Sequence, residues 1–442
     1  MLLYSTNNHR VRATLKEAVM KGLPEDNGLY MPVQIPVLPD NYFKTLQYRS
    51  FQEIACMVTQ TLFQGAISDK DIEAIVLNAL NFPAPLIRLD EETYILELFH
   101  GPSLAFKDFG ARFMSQLMGY FNRGEDSELT ILVATSGDTG GAVASGFFRT
   151  PGIRVIILYP SGKVSFLQEQ QLTTLGHNIH AVEVAGNFDD CQAMVKQAFL
   201  DPELNTRLRL SAANSINIAR LVPQSFYYFE AFKQLAPEGP PVVFCVPSGN
   251  FGNLTAGLIA KKMGLPVYQF IAATNANDIV PKYLQTGTFK PLPSVPTLSN
   301  AMDVGNPSNF ARMDDLYAHA TGNQQCSTWN KIQGDISGFS ASDIETENSL
   351  RQVFQQYKYI IDPHGAVGMH ALEQYRRKQN IPTRGIILET AHPAKFLPDV
   401  QRILGFKIPI PERLAGLAEL PKTSTKLPAD FSMLKDYMLN LR

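Results

Sequence analysis

Cysteine is scarce in this chain and badly spaced for chemistry. Cys56, Cys191, Cys245 and Cys326 lie far apart with no CxxC pair, which argues against a zinc finger or ribbon and against a disulfide framework. Charge of one sign is lacking too: 39 Lys and Arg against 41 Asp and Glu leave a net −2, so no basic footprint for nucleic acid or an anionic membrane exists. No apolar run approaches the roughly 20 residues needed to span a bilayer, and the N-terminus carries no signal-peptide core. Internal repeats and low-complexity tracts are absent. His100, His364 and His392 each adjoin Gly or Pro, but their spacing fits no metal site, and they read as structural or substrate-shell residues. What remains is 45% hydrophobic and 18% charged over 442 residues. That composition is globular, and the length suggests two or three domains. The expectation is a cytoplasmic protein without metal.

Organisation follows the hydrophobic pattern. Residues 1 to about 80 read as largely helical with a Pro-rich break at 31–39, and 81–85 as a linker. From about 93 to 275, β-type runs alternate with helical patterns. Strands are predicted at Tyr94–Leu98, Leu129–Ala134, Ile153–Tyr159, Ile179–Val184, Val242–Val246 and Gln269–Ala273. Several are unbroken Val/Ile/Leu runs, as expected for strands covered on both faces. The βαβα order argues for an α/β fold with largely parallel sheets. Residues 276–350 are less regular. Alternation resumes with a strand at Tyr359–Ile361, a helix from about 364 and a strand at Gly385–Leu388. Prolines at 409, 411, 421 and 428 make the last forty residues read as a surface strap.

Chemistry points first to Lys107, in His100-Gly101-Pro102-Ser103-Leu104-Ala105-Phe106-Lys107-Asp108. Apolar neighbours disfavour the ammonium form, and a neutral amine is what Schiff-base chemistry requires. A lysine stem lying on apolar surface with its head in water gives the same local pattern. Two strand-to-helix turns are dense in small and polar residues: Thr135-Ser136-Gly137-Asp138-Thr139-Gly140 and Pro247-Ser248-Gly249-Asn250-Phe251-Gly252-Asn253. Free N–H groups at such turns favour an anion. Neither is a Walker loop and neither spells GxGxxG; each alone is equally an N-capped turn. Asn214, Ser215 and Arg220, on a helix expected from about Ser215, can present amide, hydroxyl and guanidinium to one anion. An N-capped helix with a solvated arginine is the plainer alternative. Lys163 follows another strand end, and Thr390 closes an apolar strand, where a hydroxyl can face a ligand.

Together, His100-Gly101-Pro102 with Ala105-Phe106-Lys107-Asp108, the 135–140 and 247–252 turns, and Thr390-Ala391-His392-Pro393-Ala394-Lys395-Phe396 resemble threonine synthases of the bacterial and fungal type. These are pyridoxal-phosphate proteins related to the tryptophan-synthase β chain, and the resemblance runs along nearly the whole chain. It implies fold type II: α/β, with two open, mostly parallel sheets flanked by helices and an added, mainly helical N-terminal domain. The implied division is 1–85 for that domain, 86–124 with 221–405 for the large cofactor domain, 125–220 for a small mobile substrate domain, and 406–442 for the strap. The implied cofactor is pyridoxal 5'-phosphate, on Lys107. Backbone amides of Gly249, Asn250, Phe251, Gly252 and Asn253 would hold its phosphate and Thr390 its pyridine nitrogen. Thr135, Ser136 and Thr139 would hold a substrate carboxylate, with Asp138 beside it either paired, turned away or protonated. Lys163, Asn214, Ser215 and Arg220 would hold the phosphate of O-phospho-L-homoserine. The implied activity is a carbon–oxygen lyase reaction giving threonine, with a small-molecule substrate, no nucleic acid or membrane partner, and a monomer or homodimer. Dehydratases and β-replacement enzymes of the same fold, and a non-catalytic ligand-binding relative, are the competing readings.

Overall fold

A computed structural model describes residues 1–236, 238–318, 327–379 and 381–441; Cys326 lies outside them. Three sheets organise the chain. The first is antiparallel, with β1 (Leu2–Ser5) between β2 (Arg12–Thr14) and β3 (Tyr30–Pro32). It is an addition to the largely helical expectation for the N-terminal segment, whose helices are Leu15–Lys21, Asp40–Thr45, Phe51–Leu62 and Asp69–Ala79. Strands of three or four residues are too short to show a period, although Leu3 and Ala13 are buried and Arg12 and Thr14 exposed, as alternation demands.

The largest sheet includes β4 (Leu86–Arg88), β5 (Thr93–Glu97), β10 (Val242–Pro247), β11 (Gln269–Thr274), β12 (Ile336–Ser340) and β13 (Arg384–Glu389). Its order is β12-β11-β10-β13-β5-β4, parallel except for the β4–β5 pair. Central strands β10 and β13 are buried at every position, so their unbroken apolar runs reflect burial on both faces. The second parallel sheet has the order β14-β8-β7-β6-β9, from β6 (Leu129–Ala134), β7 (Ile153–Pro160), β8 (Ile179–Ala185), β9 (Arg209–Ala212) and β14 (Thr425–Pro428).

Other expectations need correction. The C-terminal residues are more than a strap: β14 pairs with β8, and the helix Phe431–Asn440 buries Leu434 and Met438 beside Leu427. Pro428 ends β14 at the sheet edge, where proline removes no needed ladder bond. Tyr359–Ile361 is no strand but an irregular link into Asp362, whose carboxylate caps the helix Pro363–Lys378 through Gly365 N–H. Residues 276–350 contain the edge strand β12 and the helices Ile279–Thr286, Phe310–Ala318, Thr328–Asp335 and Asp343–Tyr357.

The N-terminal segment packs on the helix Lys107–Phe121. Phe109 lies edge-on to Phe51, Phe82 and Tyr227, with ring centroids 5.9, 4.8 and 5.2 Å away, each pair adding to area burial. Arg112 on the same helix donates to the carbonyls of Ala79 and Asn78. The helix that begins with Lys107 is thereby fixed from its outer side.

Among the described residues no helix is long and apolar enough to cross a membrane. The C-terminal packing is directly testable. Leu434→Ala removes a fully buried side chain and is expected to cost about 2–4 kcal/mol, read as a lower urea midpoint.

Candidate active site

In both parallel sheets the motifs singled out by sequence follow the carboxyl ends of strands, where open α/β sheets bind ligands. In the large sheet β5 runs into the 98–107 loop, β10 into Ser248–Asn253, and β13 into Thr390–Lys395. In the smaller sheet β6 runs into Thr135–Thr139, β7 into the Lys163 turn, and β9 into Asn214–Arg220.

Lys107 opens its helix, and its side chain is 15% exposed. The preceding loop is stitched to the β13 end: Phe106 N–H donates to Thr390 O at 2.8 Å, and Ala105 bridges Ala391. Thr390 therefore sits beside the root of the Lys107 helix, itself buried. Burial pushes the Lys107 ammonium below its ordinary range. The Asp138 carboxylate opposes that shift, while Lys395 and Arg220 reinforce it.

Asp138 begins the helix Asp138–Phe147 and is buried. Its Oδ2 is 3.7 Å from Lys107 Nζ. Its Oδ1 accepts from Gln168 Nε2 at 2.8 Å and meets Lys395 Nζ at 2.6 Å. Burial alone would raise this carboxyl, but Lys395 and Lys107 outweigh it and hold Asp138 well below the usual range. The three alternatives open for Asp138 therefore resolve to one: it is ionised and paired. Lys395 and Gln168 carried no role in the sequence reading. Lys395 belongs to the recognised 390–396 motif, yet no local pattern marks a cation as buried opposite a distant aspartate.

The Thr135 hydroxyl accepts from Gly137 N–H and Gly140 N–H at 3.0 and 2.8 Å and donates to Gly137 O at 3.2 Å. It thus organises the turn from inside. Ser136 is exposed and Thr139 half-buried. Gly137 has φ 144°, and a Cβ there would meet the Gln168 side chain at 2.7 Å, which reserves the position for glycine.

Arg220 is placed one turn along from Lys107. A Cβ on Gly110, three residues after Lys107, would meet Arg220 O at 2.9 Å and its Nε at 3.0 Å. Arg220 is buried; Nη1 donates to Ala213 O at 2.7 Å, and Nε has no partner among the described residues. Burial lowers it to about 10, so it stays cationic near neutrality. The helix starts at Ile218, capped by Asn217, rather than near Ser215. Asn217 wins because its Oδ1 reaches Ala219 N–H while its Nδ2 is held by Val19 O. Asn214 and Ser215 lie half-buried in the turn ahead. Lys163 is exposed in the turn after β7, the strand neighbouring β6, and lies outside this buried cluster.

The 248–253 turn has the shape of an anion cradle. Phe251 adopts the left-handed conformation, φ 59°, directly before the helix Gly252–Lys262, whose first N–H groups are free for a ligand. A Cβ on Gly249 would meet Ala301 O at 2.8 Å. The Asn253 Oδ1 accepts from Tyr227 and Tyr228 hydroxyls, both at 2.7 Å, leaving its buried Nδ2 without a described partner. Asn250 is bound to Ser308 and Asn309. Behind them Arg312, fully buried and lowered to about 9 by that burial, donates to Tyr30 O, Ile216 O and Asn309 Oδ1. It ties the cradle to the 214–217 turn and to β3.

His100 binds Glu97 at 2.8 Å, His364 Nε2 accepts from Ala301 N–H, and His392 Nδ1 accepts from Ala394 N–H. No group of metal-binding side chains forms among the described residues. The cradle depends on its two tyrosines. Asn253→Ala leaves both buried hydroxyls without that acceptor and is expected to cost about 1–3 kcal/mol in thermal denaturation. Asn253→Asp keeps the acceptor and should cost less.

Free N–H groups at the Gly252 helix start, a poorly solvated Lys107 and a hydroxyl at Thr390 are the groups that would suit the phosphate, aldehyde and ring nitrogen of pyridoxal phosphate. Comparison with known proteins agrees. The family described as "Pyridoxal-phosphate dependent enzyme" matches residues 78–389, "Threonine synthase N terminus" matches 3–80, and "Threonine synthase, C-terminal" matches 365–438. Threonine synthase of Haemophilus influenzae is 46% identical over 99% of this chain and 100% of that protein. The crystal structure of the Escherichia coli enzyme superimposes with a TM-score of 0.91 at 42% identity, covering 100% of both chains. A pyridoxal-phosphate-bound structure from Brucella melitensis gives 0.92 at 34%, covering 99% of this chain and 98% of that one. The chain belongs to the threonine synthase family of pyridoxal-phosphate-dependent lyases.

Proposed function

We propose that the enzyme converts O-phospho-L-homoserine and water to L-threonine and inorganic phosphate, with the residue roles given below. The observation that carries this reading is a pair of separate anion-ready places around one half-buried lysine. The free helix start at Gly252 lies on the large sheet, and buried Arg220 lies on the smaller one. A cofactor phosphate takes the first and leaves the second for a phosphate on the substrate. Bound pyridoxal phosphate supplies an electron sink for negative charge developing next to the substrate amine.

The protein supplies the rest. Lys107 holds the cofactor and, as an amine whose ammonium form is disfavoured by burial, takes the Cα proton and later returns it. The N–H groups of 249–253 hold the cofactor phosphate, and the Thr390 hydroxyl meets the ring nitrogen without protonating it. Ser136, Thr139 and the helix start at Asp138 hold the substrate carboxylate, on a turn shaped by Thr135 and Asp138. Arg220, with Asn214 and Ser215 and with Lys163 reaching in from its turn, stabilises the phosphate that leaves Cγ. Fixing both ends of the substrate orients the bonds that break, so elimination from Cγ is favoured over side reactions. Residues 125–220 carry the carboxylate and phosphate groups while 86–124 and 221–405 carry the cofactor groups, so closure of one on the other excludes stray water.

Two variants test the assignment. Lys107→Ala is expected to lose both the visible absorption of the bound cofactor and all turnover. Arg220→Gln should keep the visible absorption while kcat/KM for O-phosphohomoserine falls about 10²–10³-fold. Phosphate and threonine should appear in equal amounts with the unaltered enzyme. An Arg220→Gln enzyme with undiminished phosphate release would remove the substrate assignment.

A further inference from the structure

Lys395 has no assigned part in the reaction, yet no exposed surface remains on its side chain. It lies on the short turn Pro393–Phe396 after β13. Its Nζ donates to Ser103 O at 2.9 Å and pairs with Asp138 Oδ1 at 2.6 Å. Ser103 O also accepts from Gln171 Nε2 at 3.0 Å, and Asp138 Oδ1 from Gln168 Nε2 at 2.8 Å. Four segments therefore meet here: the loop before Lys107, the Asp138 helix start, the helix Phe166–Thr173 and the turn after β13. Asp138 Oδ1 is occupied by Lys395 and Gln168, which leaves Oδ2 turned to Lys107 at 3.7 Å.

We propose that Lys395 is a positioning residue that acts through Asp138. By anchoring and partly neutralising that carboxylate, it fixes how much negative charge Lys107 Nζ faces and keeps the carboxylate-binding turn acceptable to an anionic substrate. The proposal rests on the reading of Lys107 as the cofactor lysine.

The surrounding charges make the effect directional. Lys107 faces the Asp138 carboxylate from the small-sheet side, Lys395 from the β13 turn and Arg220 from the helix Ile218–Leu221. Asp108, next in the chain, is buried, accepts from Ser103 N–H at 2.8 Å and is pushed up by burial to about 6, whereas Lys395 and Lys107 hold Asp138 well below the usual carboxylate range. Without Lys395, Asp138 acts on Lys107 undiminished and favours a protonated Nζ. Without Asp138, Lys395 faces Lys107 as an unopposed cation and disfavours it. A residue that only filled space would not give opposite signs.

The experiment is a pH titration of the visible band of the holoenzyme, with the pH profile of kcat/KM alongside, for Lys395→Met, Asp138→Asn and the double variant. The band midpoint is expected to rise by about one pH unit or more in Lys395→Met and to fall by a similar amount in Asp138→Asn. The double variant, which removes both members of the 2.6 Å pair, should return between the two. KM should rise more in Lys395→Met than in the double variant, because only the former sets a bare carboxylate against the substrate's. Equal-signed shifts in the single variants, or midpoints unmoved in all three, would overturn the proposal while leaving Lys107 in place. A band that survives Lys107→Ala would overturn the underlying reading as well.

Discussion

Asp138 is a carboxylate taken out of water and held between two lysines, and the site is arranged around that fact. Burying one ion costs several kcal/mol unless its partners are well placed. Lys395, Gln168 and Lys107 are all close, and they come from segments nearly three hundred residues apart in sequence. The pair at 2.6 Å also joins the two parallel sheets, because Asp138 follows β6 and Lys395 follows β13. Charge balance and domain registration are thus one interaction.

The two proposed anion places differ in how they are made. At Gly252 the binding groups are backbone N–H donors at a helix start, exposed by the left-handed Phe251, and their direction is set by the fold. At Arg220 a side chain does the work, with Gly110 leaving room for its guanidinium. A permanently resident phosphate suits the first arrangement. A phosphate that must arrive and leave suits the second, where a turn of half-buried polar residues borders solvent.

Much of this was legible in the sequence because the strong signals were long or dense. The runs Leu129–Ala134 and Val242–Val246 are buried on both faces, so apolar content alone marks them, and the glycine-rich turns mark their ends. Short or edge strands carry no such signal. β9 and β14 have four residues each, and Pro428 made the latter look like the end of structure rather than its edge. Asn217 displaced Ser215 as helix cap through a bond it donates to Val19 O, which no local pattern contains. Lys395 stood inside a recognised motif, but its role depends on a contact with a residue 257 positions earlier. Asp138 posed the right question in sequence; only the fold supplied its counter-ion.

Arg312 bears on how the chain can be divided. Its guanidinium is fully buried and spends bonds on Tyr30 O in β3 as well as on Ile216 O and Asn309. The segment before the linker is therefore built into the wall behind the phosphate cradle. A shortened enzyme beginning at the linker would keep every residue assigned to chemistry and yet leave Arg312 without its Tyr30 acceptor. In this protein the smallest working unit is larger than the set of residues that touch the ligands.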